Sequence, residues 1–164
     1  MTSADALTVG ILPALALLPE RMDSIPAREM LVAIALQESG LKFRRQIRGP
    51  AKSLWQFEEI GVRGVMWHSA TATLAQDVTS RLDYPFESHV IHQAIEHNDV
   101  LAAAFARLLL WTVPRPLPWR QDVDEALLQY LQAWRPGAAK DHRVTELRAR
   151  WPSNWARAWE AVVA

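Results

Sequence analysis

The chain reads as a mainly α-helical single domain with little or no β-structure. Three observations predict this. Apolar residues recur at three- and four-residue spacing through most of the sequence, and no segment alternates apolar and polar residues well enough to make a convincing strand. Half of the 164 residues are hydrophobic, so one domain of this length can bury a substantial core. No internal repeat, low-complexity tract or charge block divides the chain, which is read as one unit over residues 1–164.

The elements follow in order. Ala6 to Leu18 is the most apolar stretch, and Gly10 and Pro13 interrupt it. It is too short to span a bilayer and lacks the basic flank and small-residue cleavage site of a secretory leader, so it is expected to be a first core helix. Pro26 to Ser39 carries a stripe of Met30, Leu31, Ile34 and Ala35, with Ser24 to cap it and Gly40 to stop it. Leu41 to Ser53 suits an irregular, hairpin-like excursion. A short helix is expected from Val62 to His68, and another, capped by Ser69, runs to about Leu82. Tyr84-Pro85 breaks the pattern, Phe86 to His97 resumes it, and Asn98-Asp99 precedes a helix from Val100 to Trp111. Pro114 to Pro118 must be a stiff, non-helical connector. Asp122 with Glu125 resembles a capping box opening a helix to about Trp134, which Pro136-Gly137 ends. Two last helices, Asp141 to Arg150 and Ser153 to Val163, are expected on either side of Pro152.

Composition excludes several functions. There is no cysteine, which removes disulfide frameworks, thiolate metal sites and cysteine nucleophiles. Eighteen Lys and Arg balance eighteen Asp and Glu, and that neutrality argues against a general nucleic-acid binder. His89, His92, Glu96 and His97 match neither the HExxH nor the HxxEH zinc pattern, so they are read as a solvated or interface face, with neither metal nor cofactor expected.

Glu38 stands out because it falls on the apolar face of its helix, seven, four and three positions after Leu31, Ile34 and Ala35. Burial and the negative end of the helix dipole both raise the pKa of such a carboxyl group. A carboxylic acid partly protonated near neutral pH can protonate a leaving-group oxygen. The alternative is an ion pair with Arg44, Arg45 or Arg48, which would lower it.

The neighbouring residues extend this reading. Gln37-Glu38-Ser39-Gly40 at a helix end, a basic loop, and then Ser53-Leu54-Trp55-Gln56 resemble the Glu-Ser and Gly-Leu-Met-Gln signatures of peptidoglycan lytic transglycosylases in the lysozyme-like superfamily, which also includes the goose-type lysozymes. Gln129-Tyr130-Leu131-Gln132, leading into Trp134-Arg135-Pro136-Gly137, is similar to that family's Ala-Tyr-Asn segment, and phage-encoded lysozyme-like proteins carry comparable strings. Ser53 stands where the family has glycine, and Leu131 where it has asparagine. The resemblance implies a lysozyme-like helical domain in which Glu38 acts as general acid and then base between N-acetylmuramic acid and N-acetylglucosamine. Gln56 would orient the substrate. Ser39 would bond the carboxyl group or cap the helix, and Tyr130 would contact the sugar or belong to the core. Ser53, Trp55 and Trp134 complete the implied substrate-binding set.

Hydrolysis would more often need a second carboxylate, for which Glu58 and Glu59 are the candidates. A muramidase or chitinase-like hydrolase and a catalytically inactive module of a phage particle are the competing readings. Trp151, Trp155 and Trp159, four residues apart, read as a packing stripe. Lys42, Arg44, Arg45, Arg48, Lys52 and Arg63 make a basic region that would either attract anionic peptidoglycan or be an ordinary solvated loop. The expected partner is the peptidoglycan glycan strand, met by a monomer without a membrane span, either at the cell wall or in a phage particle.

Overall fold

The computed structural model describes residues 1–135 and 141–164. It is mainly helical, and its only β-features among the described residues are two isolated antiparallel bridges, Arg45 with Lys52 and Lys52 with Phe57. The first helix changes register along its length: α1 (Ser3–Asp5) passes into a π-helical stretch, Ala6–Ile11, and then α2 (Leu12–Ala16). Pro13 accounts for this. It has no N–H to give, and in a regular helix its ring presses on the carbonyl of Val9. The wider π-turn just before it, in which the Leu12 amide reaches the Leu7 carbonyl, relieves that clash. Ala6, Leu7, Ile11, Ala14 and Leu15 are buried, so this segment is part of the core.

Helix α3 (Ile25–Ser39) begins where Ser24 Oγ accepts the Ala27 amide at 3.2 Å and ends at Gly40, whose φ of 60° lies in the left-handed region that glycine adopts without cost. The expected single stripe is too narrow a description, because α3 is buried on every side from Glu29 through Gln37. It is the axis of the fold, and later helices wrap it.

The others are α4 (Glu59–Trp67), α5 (Ala72–Arg81), α6 (Ser88–Ala94), α7 (Asp99–Trp111), α8 (Val123–Trp134) and α9 (Asp141–Val163). Asn98 caps α7, its Oδ1 accepting the Leu101 amide at 2.9 Å. Ser69 caps nothing here: α5 starts after Thr71, whose buried hydroxyl donates instead to the Val65 carbonyl at 2.6 Å and ties α5 to α4. The capping box at Asp122 is also absent. Asp122 Oδ2 takes the Trp119 amide at 3.2 Å, while Glu125 holds Arg115 at 3.2 Å and Gln129 at 3.1 Å. The stop expected at Pro136-Gly137 lies outside the described residues.

Pro152 does not divide the last helix, which runs through it as α9. Its ring is on the exposed side, so the carbonyl one turn earlier can take a water in place of the missing amide. On the adjoining face Trp151 and Trp155 are fully buried, and their indole N–H groups donate to the carbonyls of Val123 at 3.1 Å and Arg120 at 2.9 Å. Burying a large apolar side chain is worth about 1.5–3 kcal/mol, and two such anchors on one turn outweigh a lost helical hydrogen bond. Among the described residues no helix is long and apolar enough to cross a membrane.

Candidate functional site

A cavity of about 780 Å³ opens beside the C-terminal end of α3. Glu38, Gln56, Glu58, His68, Trp134 and Arg135 are among the residues on its walls. Its volume suits a ligand larger than a single ion.

Glu38 comes from the last turn of α3, which α9 fastens in place. Gln37 is the anchor: its side-chain amide donates to the Leu147 carbonyl at 3.0 Å and accepts from Asn154 at 2.7 Å, and its own carbonyl accepts from Arg150 at 2.6 Å. Such bonds satisfy a helix end that would otherwise leave carbonyls unpaired. Ser39 is a cap, of the two roles open to it: its hydroxyl donates to the Ala35 carbonyl at 3.0 Å and accepts the Leu41 amide at 3.2 Å.

The phenol of Tyr130, from α8, donates to Glu38 Oε1 at 2.5 Å. Tyr130 has no exposed surface, so it touches the carboxyl group and not a ligand in the cavity. Its ring stacks on Trp151 at 5.1 Å and 10°, and Trp151 stacks on Trp155 at 5.9 Å. This aromatic column fixes the position of the phenol, and it is core as the four-residue spacing of the tryptophans implied. Trp159, half-buried, lies under the Arg120 guanidinium.

The segment between α3 and α4 departs from the expected substrate set. Trp55 is completely buried and its indole donates to the Leu31 carbonyl at 2.9 Å, so it pins the loop to α3 and offers no face to a sugar. Ser53 is also fully buried, at φ 70°, the left-handed geometry that favours glycine. Its Oγ accepts the Trp55 amide at 3.2 Å, a local bond that offsets part of the strain, and no substrate contact is open to it. Gln56, at φ 51°, is half-buried on the cavity wall, and its Nε2 donates to the carbonyls of Ser53 at 2.7 Å and Phe43 at 3.3 Å. Its amide oxygen is the atom left to face a ligand.

Trp134 lines the cavity, tilted against Phe57 at 5.8 Å, with its indole on the Trp55 carbonyl at 2.9 Å. The two candidate second carboxylates separate. Glu58 is exposed on the cavity wall, whereas Glu59 accepts the Ser88 hydroxyl at 2.8 Å away from it.

Much of the basic region is neutralised. Arg44 pairs with Asp99, and Arg45 and Lys52 both pair with Glu96, at 3.2 and 3.3 Å. Burial pushes the Glu96 carboxyl up, but the Lys52 hydrogen bond and the charges of Arg45, Lys52 and His97 hold it below its ordinary value. Arg63 stacks on Trp67, leaving Lys42 and Arg48 as exposed charges of the excursion. Of the histidines, His92 is buried with Nε2 2.9 Å from the Phe57 carbonyl, while His89 and His97 are exposed. Among the described residues no three His, Asp or Glu side chains gather closely enough to hold a metal.

Sequence reasoning did not single out His68, Thr112 or Arg135, all on the cavity wall. The His68 Nδ1 accepts the Ala70 amide at 3.2 Å, which puts the proton of the neutral ring on Nε2. His68 and Thr112 sit in no local pattern that could have marked them, whereas Arg135 lies in the Trp134-Arg135-Pro136-Gly137 segment, which could have; three separate helix ends bring them together. Among known proteins, no family model, curated protein or solved structure matches the chain.

Proposed function

We propose that the protein cleaves the glycan strand of peptidoglycan between N-acetylmuramic acid and N-acetylglucosamine, by the lytic transglycosylase route. The observation that carries this is Glu38: a carboxyl group at the end of a buried helix, on the wall of a cavity of about 780 Å³, held by a phenol at 2.5 Å. Glu38 gives its proton to the glycosidic oxygen as the bond from the anomeric carbon breaks and the sugar takes on oxocarbenium character. The resulting carboxylate accepts the proton of that sugar's C6 hydroxyl while its oxygen closes on the anomeric carbon, leaving a 1,6-anhydro ring. Gln56 orients the substrate through its amide oxygen, and Trp134 and Phe57 supply apolar surface.

Glu58 favours hydrolysis as a second reading, because it is a second carboxylate on the same wall. Digestion of purified peptidoglycan followed by mass spectrometry separates the two. Anhydro-muropeptides are expected; reducing-end products formed in a Glu58-dependent reaction would replace the transglycosylase route with hydrolysis. Sacculi left intact by the wild-type protein would overturn both readings.

A further inference from the structure

We propose that a second cavity, at the N-terminal end of α3, binds a small organic anion: one carboxylate or phosphate group on a compact apolar or aromatic body. This cavity has a volume of about 420 Å³, and Arg21, Arg107 and Arg115 line it together with Trp111 and Trp119. Among the described residues no carboxylate lines it. Val113 lines both this cavity and the Glu38 groove, so the two adjoin, but Glu38 belongs only to the groove.

Arg107 carries the inference. It is only 3% exposed, its Nε donates to the Met22 carbonyl at 2.8 Å, and its guanidinium lies 5.1 Å from the centre of the Trp111 ring. Its two terminal amino groups have no hydrogen-bond acceptor among the described residues. The acid that acts on it electrostatically, Asp23, is engaged by both arms of Arg28, at 2.8 and 2.7 Å. Burial draws the Arg107 pKa down to about 10, with Asp23 opposing, so the group remains cationic at neutral pH. Those amino groups are reached from the cavity and not sealed in the core, so an anion that enters it can complete them.

The rest of the cavity suits that anion. Arg21 approaches Trp111 at 5.9 Å and is exposed, and the positive end of the α3 dipole opens onto the same space through Ser24 and Ile25. Arg115 is held by Glu125 at 3.2 Å, which leaves Arg107 and Arg21 as the pair to grip the head group. Ile25, Leu110 and Leu117 offer apolar wall to the ligand body.

The test is an NMR titration of the full chain, following the indole N–H signals of Trp111 and Trp119. Benzoate and phenyl phosphate are the probes; benzyl alcohol and inorganic phosphate are the controls. Saturable movement of the Trp111 signal by at least one probe is expected, with both controls binding about tenfold more weakly, and the better probe identifies the head group. Arg107→Met should abolish the movement. Arg21→Gln, at an exposed position that leaves the fold intact, should weaken binding about fivefold. Absence of saturation by either probe at about 10 mM would overturn the proposal. So would inorganic phosphate binding as tightly as phenyl phosphate, or an Arg21→Gln protein that binds like the wild type.

Discussion

Tyr130 and Glu38 are 92 residues apart in the chain and 2.5 Å apart in the fold, and the consequence is testable by removing one oxygen. In Tyr130→Phe the ring stays stacked on Trp151 while the carboxyl group loses the phenol's hydrogen bond. A hydrogen bond to a charged group is worth about 1.5–3 kcal/mol, so under the proposed reaction turnover of peptidoglycan should fall about ten- to a hundredfold. KM should change little, because Tyr130 is buried and touches no substrate. A raised KM with unchanged kcat would place Tyr130 in substrate binding instead. Glu38 and Gln56 were legible in the sequence because the residues that mark them are their immediate neighbours. Trp55 and Trp134 were not separable there: both have the surface to stack on a sugar, and only tertiary packing buries one beneath the other's indole.

Among the elements, α9 carries the clearest energetic conflict, since its local sequence opposes a helix that its packing requires. Pro152 withholds a backbone donor in mid-helix, while Trp151 and Trp155 lock the same turn against α8 and its preceding loop. Pro152→Ala restores the donor on the exposed face without disturbing either indole. It should stabilise the protein by about 1–2 kcal/mol, less than the full helix penalty of proline because the unfolded chain also gains freedom. Urea unfolding followed by far-ultraviolet circular dichroism checks this, and a loss of stability would show that the proline ring itself is packed. The same contest explains which boundaries could be read in advance. Ser24, Gly40 and Asn98 act on their own helix ends and were legible. Thr71 and Asp122 spend their side chains on Val65 and Trp119, and no local pattern distinguishes those bonds from caps.

At the scale of the whole molecule, the helix that carries Glu38 is also the axis of the core, and it brings a second acid inside with it. Glu29 has no exposed surface, neither carboxyl oxygen has a hydrogen-bond partner among the described residues, and Arg120 Nε is 3.9 Å away. Burial pushes its pKa up from 4.5 to about 7, with Arg120 pulling it down. Between those values the native state keeps a proton that the unfolded chain has lost. This group's contribution to stability is therefore greatest below about pH 4.5, falls as pH rises toward 7, and levels off above it. In Glu29→Gln that fall should flatten, with a gain on the order of 2 kcal/mol over wild type at pH 8 and little or none at pH 4.5. Equal pH profiles for the two proteins would show that Glu29 is already satisfied when ionised. The helical class was legible from spacing, and the central place of α3 was written there too: Met30 to Leu36 are apolar without a break, and a helix apolar all round is enclosed, which a stripe of four residues understates. The proposed function depends on that enclosure, since it holds Glu38 on a fixed helix at the groove wall. The most direct measurement is the release of soluble muropeptides from purified sacculi by wild-type protein and by Glu38→Gln, each first shown to unfold at the same temperature. Release by the wild type and none by Glu38→Gln is expected; equal release by both would contradict the assignment of Glu38 as the acid that cuts the strand.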